Sequence, residues 1–171
     1  DGYVNNFIHA LRVLRRHGFS STCYAVSGLA GKTNKWDEDL GIAQTPLMDK
    51  KQMRQWVAGG QEMGSHTRSH VNLVESDDMT SETEIAFGKS DLEMMLDTPI
   101  QHFCYPYGGY ESKHVDMVMK RGFATATTTQ RSRCFAGDDV LEIPRVPVLR
   151  STSLLMFWLK IATGYVDRRR R

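Results

Sequence analysis

The 171 residues are 40% hydrophobic and 25% charged, with 14 glycines, the composition of a globule with one core and not of a disordered or collagen-like chain. The formal charge of +2 becomes −2 once the four arginines Arg168 to Arg171 are set aside, so no basic footprint for nucleic acid spreads over the body of the chain. Cys23, Cys104 and Cys134 are an odd number without close pairing, which indicates neither a disulfide framework nor a thiolate zinc cluster.

The chain opens on Asp1-Gly2 and enters "YVNNFIHALRVLRRH", residues 3–17. Apolar Phe7, Leu11 and Leu14 followed by Gly18 predict an amphipathic helix with a glycine stop. "STCYAVSG" is a short β-branched and aromatic run, a buried strand. "LMDKKQMRQWVAGG" is a second helix, stopped at Gly59-Gly60, and "EMGSHTRSH" starts as a strand and ends on two histidines. "MTSETEIAFGKSDLEMMLDTP" is a helix with a capping residue at Thr80 or Ser81 that runs to Pro99. "IQHFCYPYGG" is a strand opening into a Pro/Gly loop, "ESKHVDMVMKRGF" a helix and "ATATTTQ" a strand. "VLEIPRVPV" is a last strand that Pro144 and Pro147 confine to an edge or a kink. "SLLMFWLKIATGY" is the most apolar stretch, but Lys160 interrupts it and it is short of the ~20 residues of a membrane span, so it reads as a packed terminal helix. Arg168 to Arg171 form a basic tail, read as solvated, with a phosphate- or membrane-touching end as the alternative.

Strands and helices alternate over residues 1–171, the pattern of βαβ units, a mainly parallel sheet and a single domain. Each later helix follows a strand, whereas Asp1-Gly2 leads directly into one. Reactive residues of such folds lie where strands end and helices begin, so Asp1 is placed at a strand end whose strand is not in the sequence. The second junction, "GSHTRSH", sets His66 and His70 four positions apart. On spacing alone they are either two legs of a metal site or two unrelated histidines. The third junction is "FCYPYGGY", residues 103–110.

In this order the three junctions resemble the polysaccharide deacetylase family, the NodB homology domain of carbohydrate esterase family 4. The resemblance covers essentially the whole chain. The family's first motif, Thr-Phe-Asp-Asp-Gly, ends on a metal-binding Asp, matched by Asp1 before Gly2. Its second, His-(Ser/Thr)-x-x-(His/Ser), is matched by His66, Thr67 and His70. Its third, in one branch Phe-Ala-Tyr-Pro-Tyr-Gly, is matched by Phe103 to Gly108; "GLAGKTNKW" is also similar to members of that branch, which resembles poly-N-acetylglucosamine deacetylases.

The resemblance implies a distorted (β/α)7 barrel, truncated here by its first strand, that removes N-acetyl groups from an amino-sugar polysaccharide or glycan. It implies one divalent metal on Asp1, His66 and His70, Zn2+ first, with Co2+ or Ni2+ as alternatives. Two imidazoles and a carboxylate leave coordination positions open, as a catalytic site requires, and such an ion activates water near neutral pH. The main-chain N–H of Tyr107 is the implied oxyanion donor; Tyr105, Pro106 and Tyr107 form the substrate loop, and Trp36 or Tyr110 is a candidate for stacking on a sugar face. His9, His17, His102 and His114 read as surface or packing histidines.

The match has departures. The family's base aspartate would stand one position before Asp1, Cys104 occupies a position where many members carry an arginine, and no histidine follows His114 to act as acid. Arg145, in "EIPRVPV", is the candidate to orient the base, with a structural ion pair as the alternative. These departures motivate two competing readings: a non-catalytic, metal-holding carbohydrate-binding domain, and a metal-dependent amidase for a non-sugar amide. An extracytoplasmic or envelope location is expected from the resemblance only.

Overall fold

A computed structural model describes residues 1–163 and 165. Four short strands, β1 (Thr22–Ala25), β2 (Glu62–Ser65), β3 (His102–Cys104) and β4 (Thr125–Thr127), lie in the order β1-β2-β3-β4 and pair in parallel throughout. Cys23 pairs with Met63, Ser65 with Phe103, and Phe103 with Ala126. The central strand positions are apolar and buried, as a sheet covered by crossover helices demands; Ala25, Phe103 and Ala126 are fully enclosed.

The sheet is therefore the α/β, parallel arrangement expected, and it forms an open arc: among the described residues no strand joins β4 back to β1.

The helices follow from local signals. A π-helical segment, Asn6–Ala10, continues into α1 (Leu11–His17), and Gly18 closes it in the left-handed conformation at φ 66°. Helix α2 (Lys50–Ala58) starts on a reciprocal cap in which Asp49 accepts from Gln52 N–H and the Gln52 side chain accepts from Asp49 N–H. Its Trp56 is buried and donates to the Glu62 carbonyl at 2.9 Å, which ties the helix end to the start of β2. Helix α3 (Asp78–Leu96) carries Ile85 and Leu92 into the core and packs on α2, on β2 and on α4 (Ser112–Lys120).

Three expectations are corrected. The cap of α3 is Asp77, not Thr80 or Ser81: the Asp77 carboxylate accepts from Thr80 N–H at 2.7 Å, and Ser81 is already inside the helix and buried. The last strand does not form a ladder. Ile143 makes one parallel bridge to Thr127, Arg145 N–H reaches on to the Gln130 carbonyl at 2.9 Å, and Pro147 has no N–H with which to continue the pattern. The terminal segment is helical, α5 (Leu154–Thr163), but not packed on its apolar side: Leu154 is 88% exposed and Ile161 69%. No helix among the described residues is long and apolar enough to cross a membrane. The basic run Arg168 to Arg171 lies outside the described residues.

Candidate metal centre

The C-terminal ends of β1, β2 and β3 meet at one face, where ligands bind in folds of this type. Gly2 puts Asp1 there. At φ 76° it lies against Ala25, so close that a Cβ would come within 3.3 Å of the alanine methyl, and its carbonyl accepts from Met48 N–H at 2.8 Å. Directly after β2, His66 N–H donates to the Ala25 carbonyl at 3.0 Å. His66 Nε2 stands 3.3 Å from Asp1 Oδ1, and His70 Nε2 stands 3.9 Å from the same oxygen. The three donor atoms all lie within 4.8 Å of one another. Ligands about 2.0–2.1 Å from a tetrahedral ion are roughly 3.4 Å apart, so the set needs only a small contraction to hold one.

The tautomers fit as well. His66 Nδ1 is 2.6 Å from the Cys104 carbonyl, which can only accept, so that nitrogen is the donor and Nε2 is the atom turned to Asp1. Burial, and then the neighbouring His66, push the His70 imidazole down to about 3, which keeps it neutral as a ligand must be. Both rings are almost closed to solvent, 5% and 6% exposed, and the Nδ1 of His70 has no hydrogen-bond partner among the described residues.

Holding two ligands four residues apart after a strand takes an unusual turn. Thr67 and His70 both have positive φ, 62° and 65°, which costs about 1 kcal/mol or more each for residues other than glycine. The compensation comes from helix α3. Glu84 accepts from the backbone N–H groups of Arg68 and Ser69 at 2.9 and 2.8 Å and from the Ser69 hydroxyl at 2.7 Å. Asp91 accepts from Arg68 Nε and Ser27 Oγ. Thr67 Oγ1 donates to the His66 carbonyl and accepts from His70 N–H at 3.0 Å. Gly88 lets α3 come this close, since a Cβ there would lie 2.8 Å from the Thr67 backbone. Neither Glu84 nor Asp91 was marked by any motif; they lie one helical turn on either side of Gly88, and only that packing gives them a role.

The third loop closes the site. Tyr107 sits at φ 57° in the tight turn Pro106–Gly108, and a side chain at Gly108, φ 75°, would put its Cβ on Thr129. A cleft of about 340 Å³ is lined by Asp1, His66 and His70 together with Trp36, Tyr107 and Arg145; Tyr24, Asp37, Cys104, Tyr105 and Thr129 also reach it. Burial, the largest single influence, pushes the Cys104 thiol up, but hydrogen bonds to His66 and Thr127 and the charges of His66 and Arg145 together bring it down to about 7.

The sequence-predicted residues are thus distributed unevenly. Tyr107 is half exposed at the cleft, whereas Tyr105 is buried, its hydroxyl donating to the Leu141 carbonyl at 3.0 Å, and the buried Pro106 is not among the lining residues. Tyr110 stacks on Tyr105 at 4.5 Å and is likewise outside the cleft lining. Arg145 reaches the cleft with Nε donating to the Thr128 carbonyl at 2.7 Å.

The parallel sheet carries at its strand ends a two-histidine, one-aspartate cluster that could hold a divalent ion. The chain belongs to the polysaccharide deacetylase family, whose model, described as "Polysaccharide deacetylase", matches residues 1–126. It is 24% identical over 148 residues to the putative polysaccharide deacetylase YxkH of Bacillus subtilis, covering 86% of this chain and 49% of that one. Its fold is similar to that of the deacetylase PplD of Streptococcus pyogenes, solved in complex with acetate, with a TM-score of 0.79 at 20% identity over 92% of this chain and 65% of that one. It is also similar, with a TM-score of 0.55 at 16% identity over 71% of this chain and 38% of the other, to a CE4 family pseudoenzyme from Bacillus anthracis. The chain spans about half the length of the curated relative it matches.

Proposed function

We propose that this chain hydrolyses N-acetyl groups from an amino-sugar polysaccharide or glycan, with one divalent ion, Zn2+ before Co2+ or Ni2+, held by Asp1, His66 and His70. The observation that carries this reading is the convergence of those three donors, two imidazoles and a carboxylate, in a cleft of about 340 Å³. When bound, the ion would supply Lewis-acid activation of water and of the amide carbonyl.

The chain's own residues supply the rest. The cleft-facing turn at Tyr107 offers its main-chain N–H as donor to the oxyanion of the tetrahedral intermediate, and the φ of 57° makes that position a preorganised one. The Tyr107 ring, half exposed, gives the substrate an apolar wall, and Tyr105 and Pro106 back the loop from beneath. Arg145, whose Nε donates to the Thr128 carbonyl, lines the cleft and is the candidate to orient a proton-accepting group there. The amide C–N bond breaks as the amine takes a proton, and the products are acetate and the free amine.

The test is acetate release from an N-acetylglucosamine oligomer with added Zn2+, compared between the protein and His66→Ala. Release that falls to background in the variant supports the reading; equal release in both overturns it. The second reading, a non-catalytic carbohydrate-binding domain, is favoured by Cys104 at the position of the family's arginine and by the likeness to a pseudoenzyme. It predicts oligomer binding without acetate release.

A further inference from the structure

The two histidines of the cluster are held by different means, and the difference gives Trp36 a task. A metal-binding imidazole as a rule donates its second N–H to a carbonyl, a carboxylate or water, which fixes the plane of the ring. His66 does so to the Cys104 carbonyl. His70 has no protein group in that role among the described residues: its Nδ1 has no partner there, although the residue is only 6% exposed. What fixes its plane is aromatic. Trp36 stacks on it with centroids 4.3 Å apart and planes 20° from parallel, Tyr107 meets it edge-on at 4.6 Å and 76°, and His66 closes the third side at 4.7 Å and 80°.

Trp36 can serve as a fixed wall because its loop is itself pinned. It lies in a 3-10 turn, Lys35–Leu40, whose start is the buried Asn34. The Asn34 side chain donates to Asp37 Oδ2 at 2.9 Å and accepts from Thr45 N–H, and the Asn34 carbonyl accepts from the Gln44 side chain at 3.3 Å. The backbone of His70 is fixed independently, through Thr67 Oγ1. Ring and backbone therefore have separate supports.

We propose that Trp36 is a positioning residue for the metal ligand His70, its indole face replacing the hydrogen bond that usually orients such a ring. The inference rests on reading Asp1, His66 and His70 as a divalent-ion site. It also redirects the expectation that Trp36 stacks on a sugar, because one face of the indole is already taken by His70.

The experiment measures Co2+ and Zn2+ affinity by competition with a chromophoric chelator, and the Co2+ absorption spectrum, for the protein, Trp36→Ala and Trp36→Phe. Thermal unfolding of the metal-free forms checks that each variant folds. Loss of an orienting partner costs roughly 10–100-fold in metal affinity, so Trp36→Ala is expected to bind Co2+ about 10-fold more weakly with an altered spectrum. Trp36→Phe, which keeps a ring over His70, should recover most of both. Unchanged affinity and spectrum in Trp36→Ala overturn the inference, as does a Trp36→Phe variant no better than Trp36→Ala. A rise in KM for the N-acetylglucosamine oligomer with metal affinity unchanged would instead assign Trp36 to the sugar. If the unsubstituted protein binds neither ion, the metal reading of the site fails first, and the two failures are told apart.

Discussion

The loops after β2 and after β3 leave the same face of the sheet, and both put non-glycine residues into the left-handed region: Thr67 and His70 in one, Tyr107 in the other. They are held there by opposite means. The histidine loop is clamped by charge-assisted hydrogen bonds, with Glu84 taking two backbone N–H groups and a hydroxyl and Asp91 taking Arg68 and Ser27. The Tyr-Pro-Tyr loop has no such clamp among the described residues; Pro106 sets its entry, Gly108 lies against Thr129, and Tyr105 anchors it to the Leu141 carbonyl. Hydrogen bonds to a helix fix side chains in direction, as the proposed metal ligands require, whereas sterics fix the shape of a turn, as the proposed oxyanion donor requires.

The comparison breaks first at Gly108. A Cβ there would stand 1.9 Å from Thr129 Oγ1 at a φ of 75°, so Gly108→Ala is expected to destabilise by about 3 kcal/mol through strain and overlap together. Adding Thr129→Gly should return the overlap part but not the backbone part, and chemical denaturation of the two variants separates them. Glu84→Ala tests the other loop. It strips the partners from two N–H groups and a hydroxyl, an expected cost of about 2 kcal/mol, and it should weaken metal binding more than Gly108→Ala, which reaches His70 only through the edge of Tyr107. Equal loss of metal affinity in the two variants would end the distinction.

A gentler probe is pH. The His70 ring takes a proton only near pH 3 in the fold but near 6.5 when unfolded. Its folded value is depressed, so the unfolded chain binds more protons in the window between those values. This contribution is therefore complete above pH 6.5 and falls as pH drops through the window, by about 1.4 kcal/mol per unit at most. His114, also buried and shifted down, acts in the same direction. Urea titrations of the metal-free protein at pH 7 and pH 5 measure the slope; a protein more stable at pH 5 would contradict it.

Much of this was legible in the chain. Strand runs such as "TCYA" and "EMGS" and the glycine stop after His17 mark the elements through local rules of alternation and capping, which need only near neighbours. The junction motifs were legible for the same reason, as each is a few consecutive residues. The bridge at Ile143 in place of a ladder was half written in Pro144 and Pro147. The exposure of α5 was not, because an apolar run says that a face wants a partner and not whether one is there.

What the sequence determined by itself is the parallel α/β order, which the alternation of elements carries, and, through the family resemblance of its three junction motifs, Asp1, His66 and His70 as a possible set. Only the tertiary structure decided that Asp1, so far away along the chain, lies 3.3 Å from His66, that Glu84 holds the turn between the histidines, and that Trp36 lies flat on His70. Those contacts join residues 15 to 65 positions apart, and no local pattern specifies them, because they exist only once packing of the helices on the sheet has set the distances.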